Sequence, residues 1–186
     1  LYSVTGTLNM ADLALRVAEI PAEDTALLRV GAVMLLLVFA IKAAVIPLHF
    51  WLPASYANAP LPIAALFAIM TKVGAYAILR VYTLVFGPDL AITQGLAGAW
   101  LMPAALVTLM IGAVGILGSY RIGRLVAFGA ITSMGTLLTA IALFSPEGVA
   151  AALYYTVHST LAAAFLFLVA DLVAERQGIE ITGQRL

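Results

Sequence analysis

A chain of 186 residues that is 64% hydrophobic and only 10% charged carries far more apolar surface than a water-soluble domain, where about 45–50% apolar and ~25% charged residues are usual. With a mean hydropathy of +1.11, the excess must face lipid, which excludes a soluble globular fold. Nine Lys+Arg balance nine Asp+Glu, which argues against a basic nucleic-acid surface or an acidic cation surface, and the absence of Cys removes disulfides, thiolate metal sites and Cys nucleophiles.

The chain opens on Leu1, and its first 25 residues lack the charged and then apolar pattern of a signal peptide. It therefore reads as part of a longer protein. Residues 1–28 form an amphipathic connecting segment. Within it, 9–19 mixes Leu13, Leu15 and Val17 with Asp12, Arg16 and Glu19, behind Asn9 as N-cap. It is too polar to span.

Residues 29–173 contain five stretches of spanning length, at about 30–51, 60–87, 99–118, 124–145 and 148–173; ~20 residues rising 1.5 Å each cross a core of ~30 Å. The fold class is thus all-α, a polytopic transmembrane helix bundle, followed by a polar tail at 174–186. Short connectors at 52–62, 87–90, 119–124 and 145–148 hold the helix-stopping residues, so sequential helices are expected as antiparallel neighbours. Arg121, Arg124, Arg176 and Arg185 fall on one side against Arg16 and Arg29 on the other. This bias favours a cytoplasmic 119–124 loop.

Three ionisable groups lie where lipid would be. Lys42 and Lys72 each sit about 12 residues into their spans and His158 about 10 into the fifth, roughly 15–18 Å from one end. An ammonium at that depth costs several kcal/mol, so such groups face a protein interior or water and are functional candidates. Snorkelling or a structural hydrogen bond is the alternative, least so for Lys72, which is far from both interfaces. Desolvation and a nearby carboxylate shift a buried lysine in opposite directions, which can poise it for proton exchange, and histidine titrates near neutrality unaided.

The backbone near these groups is interrupted by Pro47, Pro60, Pro62 and Gly74, and a discontinuous helix is expected around Lys72. Lys72, Tyr76 and Arg80 recur every four residues and are expected on one face, as are Lys42 and His49, seven apart. Thr132, Thr136 and Thr139 form a polar stripe that either glues helices or joins a path. Gly112, Gly115 and Gly118 suit close helix contact on a third span that holds no ionisable residue. Nucleotide-binding, zinc-protease and hydrolase motifs are absent, and two histidines 109 residues apart are a weak ligand pair. No cofactor or metal site is expected.

The run Ile41-Lys42-Ala43-Ala44-Val45-Ile46-Pro47-Leu48-His49-Phe50-Trp51-Leu52-Pro53, then Asn58-Ala59-Pro60, then Thr71-Lys72-Val73-Gly74-Ala75-Tyr76-Ala77-Ile78-Leu79-Arg80 resembles the antiporter-like subunits shared by respiratory complex I and Mrp-type cation/proton antiporters. Essentially the whole chain fits the central helices of that family, after its glutamate-bearing helix. The resemblance implies that Lys72, on a discontinuous helix, is the central proton-relay group, with Lys42 on the same hydrophilic axis. Arg121 and Gly123 stand where many members have Asp and Lys, and Ala162 stands where complex I subunits often have Lys beyond the residue matching His158.

These departures look like the D-type member of the Mrp antiporters. The resemblance implies a proton-translocating subunit of a multisubunit Na⁺(K⁺)/H⁺ antiporter in a bacterial cytoplasmic membrane, a transporter rather than an enzyme, assembled with other membrane subunits. Lys72, Lys42 and His158 would relay protons, His49, Tyr76, Arg80 and Thr136 would form a secondary polar path, and a carboxylate outside these residues would partner Lys72. The alternatives are a proton-pumping subunit of NADH-quinone oxidoreductase or a related hydrogenase, and a purely structural membrane subunit.

Overall fold

The computed structural model describes residues 1–20, 25–87, 90 and 97–177. These form eight helices, α1 (Tyr2–Thr5), α2 (Met10–Glu19), α3 (Thr25–Lys42), α4 (Trp51–Asn58), α5 (Leu61–Leu84), α6 (Gly98–Leu117), α7 (Ile122–Ala142) and α8 (Pro146–Gln177). Five of them, α3, α5, α6, α7 and α8, are long and apolar enough to cross a membrane. Trp100, Leu117 and Leu161 lie open on the outer faces, as expected where the solvent is hydrocarbon. The chain is a multi-pass membrane bundle. Arg185 and most of the expected tail lie outside the described residues.

The amphipathic start is two short helices. Asn9 caps α2 by accepting from the Ala11 N–H at 3.0 Å. Arg16 pairs with Asp12 at 3.0 Å and donates to the Thr5 carbonyl at 3.1 Å. The Arg16 guanidinium holds the Asp12 carboxyl below its ordinary range. Leu13 and Val17 turn inward and join the core.

The first apolar stretch is not one helix over 30–51. α3 stops at Lys42, residues 43–50 run as turns, and α4 begins at Trp51. The stop is a left-handed cap: Ala44 takes φ 53, the Ala44 N–H bonds back to Ile41 at 3.0 Å, and the Val45 N–H bonds back to Ala40 at 3.0 Å. The helix thus ends well before Pro47 removes a donor, and Lys42 and His49 share no helical face. α5, by contrast, runs unbroken through Lys72. The discontinuity expected around Lys72 lies instead on the neighbouring helix, the one that carries Lys42.

Nor do all consecutive helices pair. α6 packs on α7 and α7 on α8, but α5 packs on α8, α3 and α7 instead of α6. The link between α5 and α6 runs from Val85 to Ala97, long enough to carry the chain past a neighbour.

In a bilayer, lipid tails are as apolar as leucine, so helices associate by close van der Waals fit and hydrogen bonds. Small residues supply that fit. A Cβ added at Gly135 would overlap the Leu109 backbone, and one at Gly112 would come within 2.6 Å of the Thr132 nitrogen. Gly115 faces the Phe128 ring, whereas Gly118 meets no neighbouring helix among the described residues.

The packed interior divides along the bundle axis into two apolar clusters. One gathers Ala32, Ala75, Ile78, Leu101, Met134, Leu138 and Ala152. The other gathers Leu52, Tyr56, Leu61, Ala68, Ala127, Ile131, Ala163 and Phe167. On three helices the change of cluster falls near mid-length: Ala68 to Ala75 on α5, Ile131 to Met134 on α7, Ala152 to Ala163 on α8.

Candidate functional site at the waist of the bundle

Most of the inward-facing residues left between the two clusters are polar. On α5 they are Thr71 and Lys72, on α7 Thr132 and Ser133, on α8 Thr156 and Ser159. α6 adds the buried Thr108, and the α3–α4 break passes at the same level. Each spanning helix therefore meets the waist with a hydroxyl, an amine or an open turn.

Lys72 is its centre. Eleven residues of α5 precede it and twelve follow, and it is 4% exposed. Its Nζ donates to the Ser133 hydroxyl on α7, and Ser133 donates in turn to the Ala130 carbonyl at 3.0 Å. Thr71 donates to the Ala68 carbonyl at 2.9 Å. Among the described residues no carboxylate is paired with Lys72. An ammonium buried with one hydroxyl acceptor is poorly compensated, and such a group either loses its proton readily or needs an acceptor from outside.

The α3–α4 break lies beside it. A Cβ at Gly74 would come within 2.8 Å of the Ala43 nitrogen and 3.1 Å of the Lys42 carbonyl carbon, so the end of α3 rests directly on α5 half a turn past Lys72. Lys42 is the last residue of its helix, yet the contact with Gly74 keeps it at mid-height. Two of the freed backbone groups have partners from other segments. The Ile46 N–H bonds to Thr108 Oγ1 on α6 at 3.1 Å, and Trp51 Nε1 donates to the Ile41 carbonyl at 3.0 Å. This is irregular backbone at membrane depth, satisfied by the neighbouring helix and by an indole.

The other sequence candidates scatter. The Lys42 side chain is exposed on the outside of the described bundle. Tyr76 and Arg80 are also exposed and bond to each other at 2.8 Å, not to Lys72. Each step of four residues turns 400°, so eight residues drift ~80° around the helix and leave the buried face. His158 is at waist level on α8 but exposed, stacked on Tyr154 at 6.5 Å and tilted against Tyr155 at 6.3 Å. Thr136 donates to the Thr132 carbonyl at 3.1 Å, and Thr132 and Thr139 likewise return their hydroxyl protons to their own helix. The stripe is satisfied internally.

His49 lies in the break, and its Nδ1 is shut off from solvent with no hydrogen-bond partner among the described residues. It lines a cavity of about 720 Å³ at the end of the bundle where α4, the start of α7 and the end of α8 meet. Ser133 and Thr108, the two hydroxyls that hold Lys72 and the break, carry no periodicity that singles them out. Only their placement opposite Lys72 and Ile46 reveals them.

Comparison with known proteins gives this geometry a family. The chain is 41% identical over 173 residues to a probable K(+)/H(+) antiporter D-type subunit of Rhizobium meliloti, covering 93% of this chain and 32% of that protein. It is 44% identical over 171 residues to the D-type subunit of a Na(+)/H(+) antiporter of Bacillus subtilis, covering 91% of this chain and 34% of the relative. Among solved structures, the Mrp complex from Dietzia sp. DQ12-45-1b superposes with a TM-score of 0.71 at 33% identity, over 90% of this chain and 30% of that one. The chain thus spans about a third of the length of the relatives it matches. The family profile described as NADH:quinone oxidoreductase/Mrp antiporter, transmembrane, matches residues 1–183, and to that family this chain belongs.

Proposed function

We propose that these residues form the proton-handling core of a D-type subunit in a multisubunit Na⁺(K⁺)/H⁺ antiporter of a bacterial cytoplasmic membrane. The observation that carries this reading is the polar waist, with Lys72 buried at its centre between two apolar clusters. A lysine held there on one serine can give up and regain a proton as its surroundings hydrate, and the adjoining break in α3–α4 lets polar backbone reach the same depth.

In this reading Lys72 is the central relay. Lys42 and His158, both exposed at the same level on α3 and α8, are its lateral neighbours, which hand protons to parts of the longer protein or to other subunits. α3 and α8 both pack on α5, the helix that carries Lys72. The carboxylate that balances Lys72 comes from outside the described residues. His49 belongs to the path through the break, while Tyr76, Arg80 and Thr136, bonded to each other or to their own helix, keep supporting roles. The names of the relatives, antiporter subunits of Na⁺ or K⁺ type, support exchange over a redox-driven role.

The test is Lys72→Ala in the full-length subunit, with assembled complex and cation/proton exchange measured in the same membrane vesicles. Exchange is expected to fall roughly 100-fold, the scale of losing a positioned proton-transfer group, while assembly persists. Normal exchange would refute the relay, and a parallel loss of assembly would make Lys72 structural.

A further inference from the structure

The cavity at the α4–α7–α8 end is not accounted for by proton transfer at the waist. Its walls are mixed. Phe50, Pro53 and Val173 make an apolar side, while Arg121, Arg124 and His49 bring basic groups. Arg121 and Arg124 stand three residues apart at the start of α7, a helix of 21 residues whose first turn is not capped by a side chain. Arg124 is braced over the Phe128 ring at 5.6 Å. Two arginines and the positive end of a long helix border one opening.

The position sets the chemistry further. Twenty-one residues at 1.5 Å each span ~31 Å, so the first turn of α7 lies where hydrocarbon gives way to headgroups. Asp171 and Glu175 flank the α8 wall residues Val173 and Ala174 but do not line the cavity. An anion entering there meets positive charge and then apolar wall. Inorganic phosphate satisfies the first and leaves most of about 720 Å³ unfilled.

We propose that this cavity is a binding site for an anionic phospholipid. Its phosphate is held by Arg121, Arg124 and the first turn of α7, and its glycerol and upper acyl chains lie against Phe50, Pro53 and Val173. The phosphate contacts are independent of the transport reading, since Arg121 and Arg124 take no part in it and the two share only the wall residue His49. Bound lipid ties α4, α7 and α8 together at their common end, beside the segment that ends in the α3–α4 break.

The experiment delipidates the purified full-length subunit in its complex, then titrates it with phosphatidylglycerol or phosphatidylcholine in mixed micelles. Retained lipid is quantified by native mass spectrometry. Phosphatidylglycerol is expected to bind selectively, and the Arg121→Gln/Arg124→Gln variant to bind it about thirtyfold more weakly, from two basic contacts of ordinary interfacial strength. The Arg121→Lys/Arg124→Lys variant should recover most of that loss, which separates charge recognition from misfolding. Equal retention of the two lipids, or unchanged binding in the glutamine variant, would overturn the site. Displacement of phosphatidylglycerol by millimolar inorganic phosphate would overturn the lipid assignment in favour of a free-anion site, and lack of displacement supports the lipid. Failure of both lipids to bind would show that the cavity is filled by protein in the intact subunit and would also overturn the proposal.

Discussion

The α6–α7 seam and the α3–α5 seam are both made by glycine, yet only one carries ionisable groups. At Gly135 and Gly112 two unbroken helices lie backbone against backbone, and the threonines beside them return their protons to their own helices. At Gly74 the same closeness presses α5 on the end of a broken helix, with Lys42 as the last residue of that helix, Lys72 two positions before the glycine, and a borrowed partner for the freed Ile46 N–H. The difference shows how one packing device serves two ends. Continuous helices make a wall, and a broken one admits polar chemistry to mid-membrane without stranding its backbone.

Substitutions can separate the two seams. Gly135→Val should be the most damaging to the fold, because the overlap is with Leu109 backbone that cannot turn aside. A cost of about 3 kcal/mol is expected, seen as loss of accumulated, folded protein in membranes. Gly74→Ala should cost about 2 kcal/mol, since α3 can retreat a little. Its signature is different, with exchange falling more than the amount of folded protein because the break moves off Lys72. If both variants lost stability and activity in proportion, the two seams would be alike and the contrast would fail.

Thr108→Val is gentler. It leaves the Ile46 N–H without its acceptor inside the bundle, worth about 1–2 kcal/mol, and should lower thermal stability in detergent while sparing the α6–α7 contact. An unchanged melting temperature would mean that water replaces the hydroxyl and that the break is wetter than its packing suggests.

The sequence makes some of this readable and hides the rest for physical reasons. Apolar stretches of spanning length announce the bundle, and a lysine in the middle of one announces its own importance, because lipid tolerates no unexplained charge. Asn9 and Gly112 also do what their positions suggest. The break is misplaced by reasoning from proline alone. Pro47 draws attention, but α3 ends earlier, at an alanine in left-handed conformation that carries no sequence signature. Tyr76 and Arg80 are expected beside Lys72 because four-residue spacing looks like one face, although the drift of a 3.6-residue helix carries them outside. Ser133 and Thr108 escape notice because single hydroxyls in apolar helices are common, and only tertiary packing selects these two.

The central claim is that the amine at the waist must change its protonation state, not merely supply charge. Lys72→Arg tests this most directly, since a guanidinium keeps the charge and the donor toward Ser133 but holds its proton at any physiological pH. With complex abundance matched to the parent protein in membrane vesicles, cation/proton exchange by Lys72→Arg is expected to fall about 100-fold. Exchange at the parental rate would show that a fixed positive charge suffices at this position, and the relay would have to be sought elsewhere.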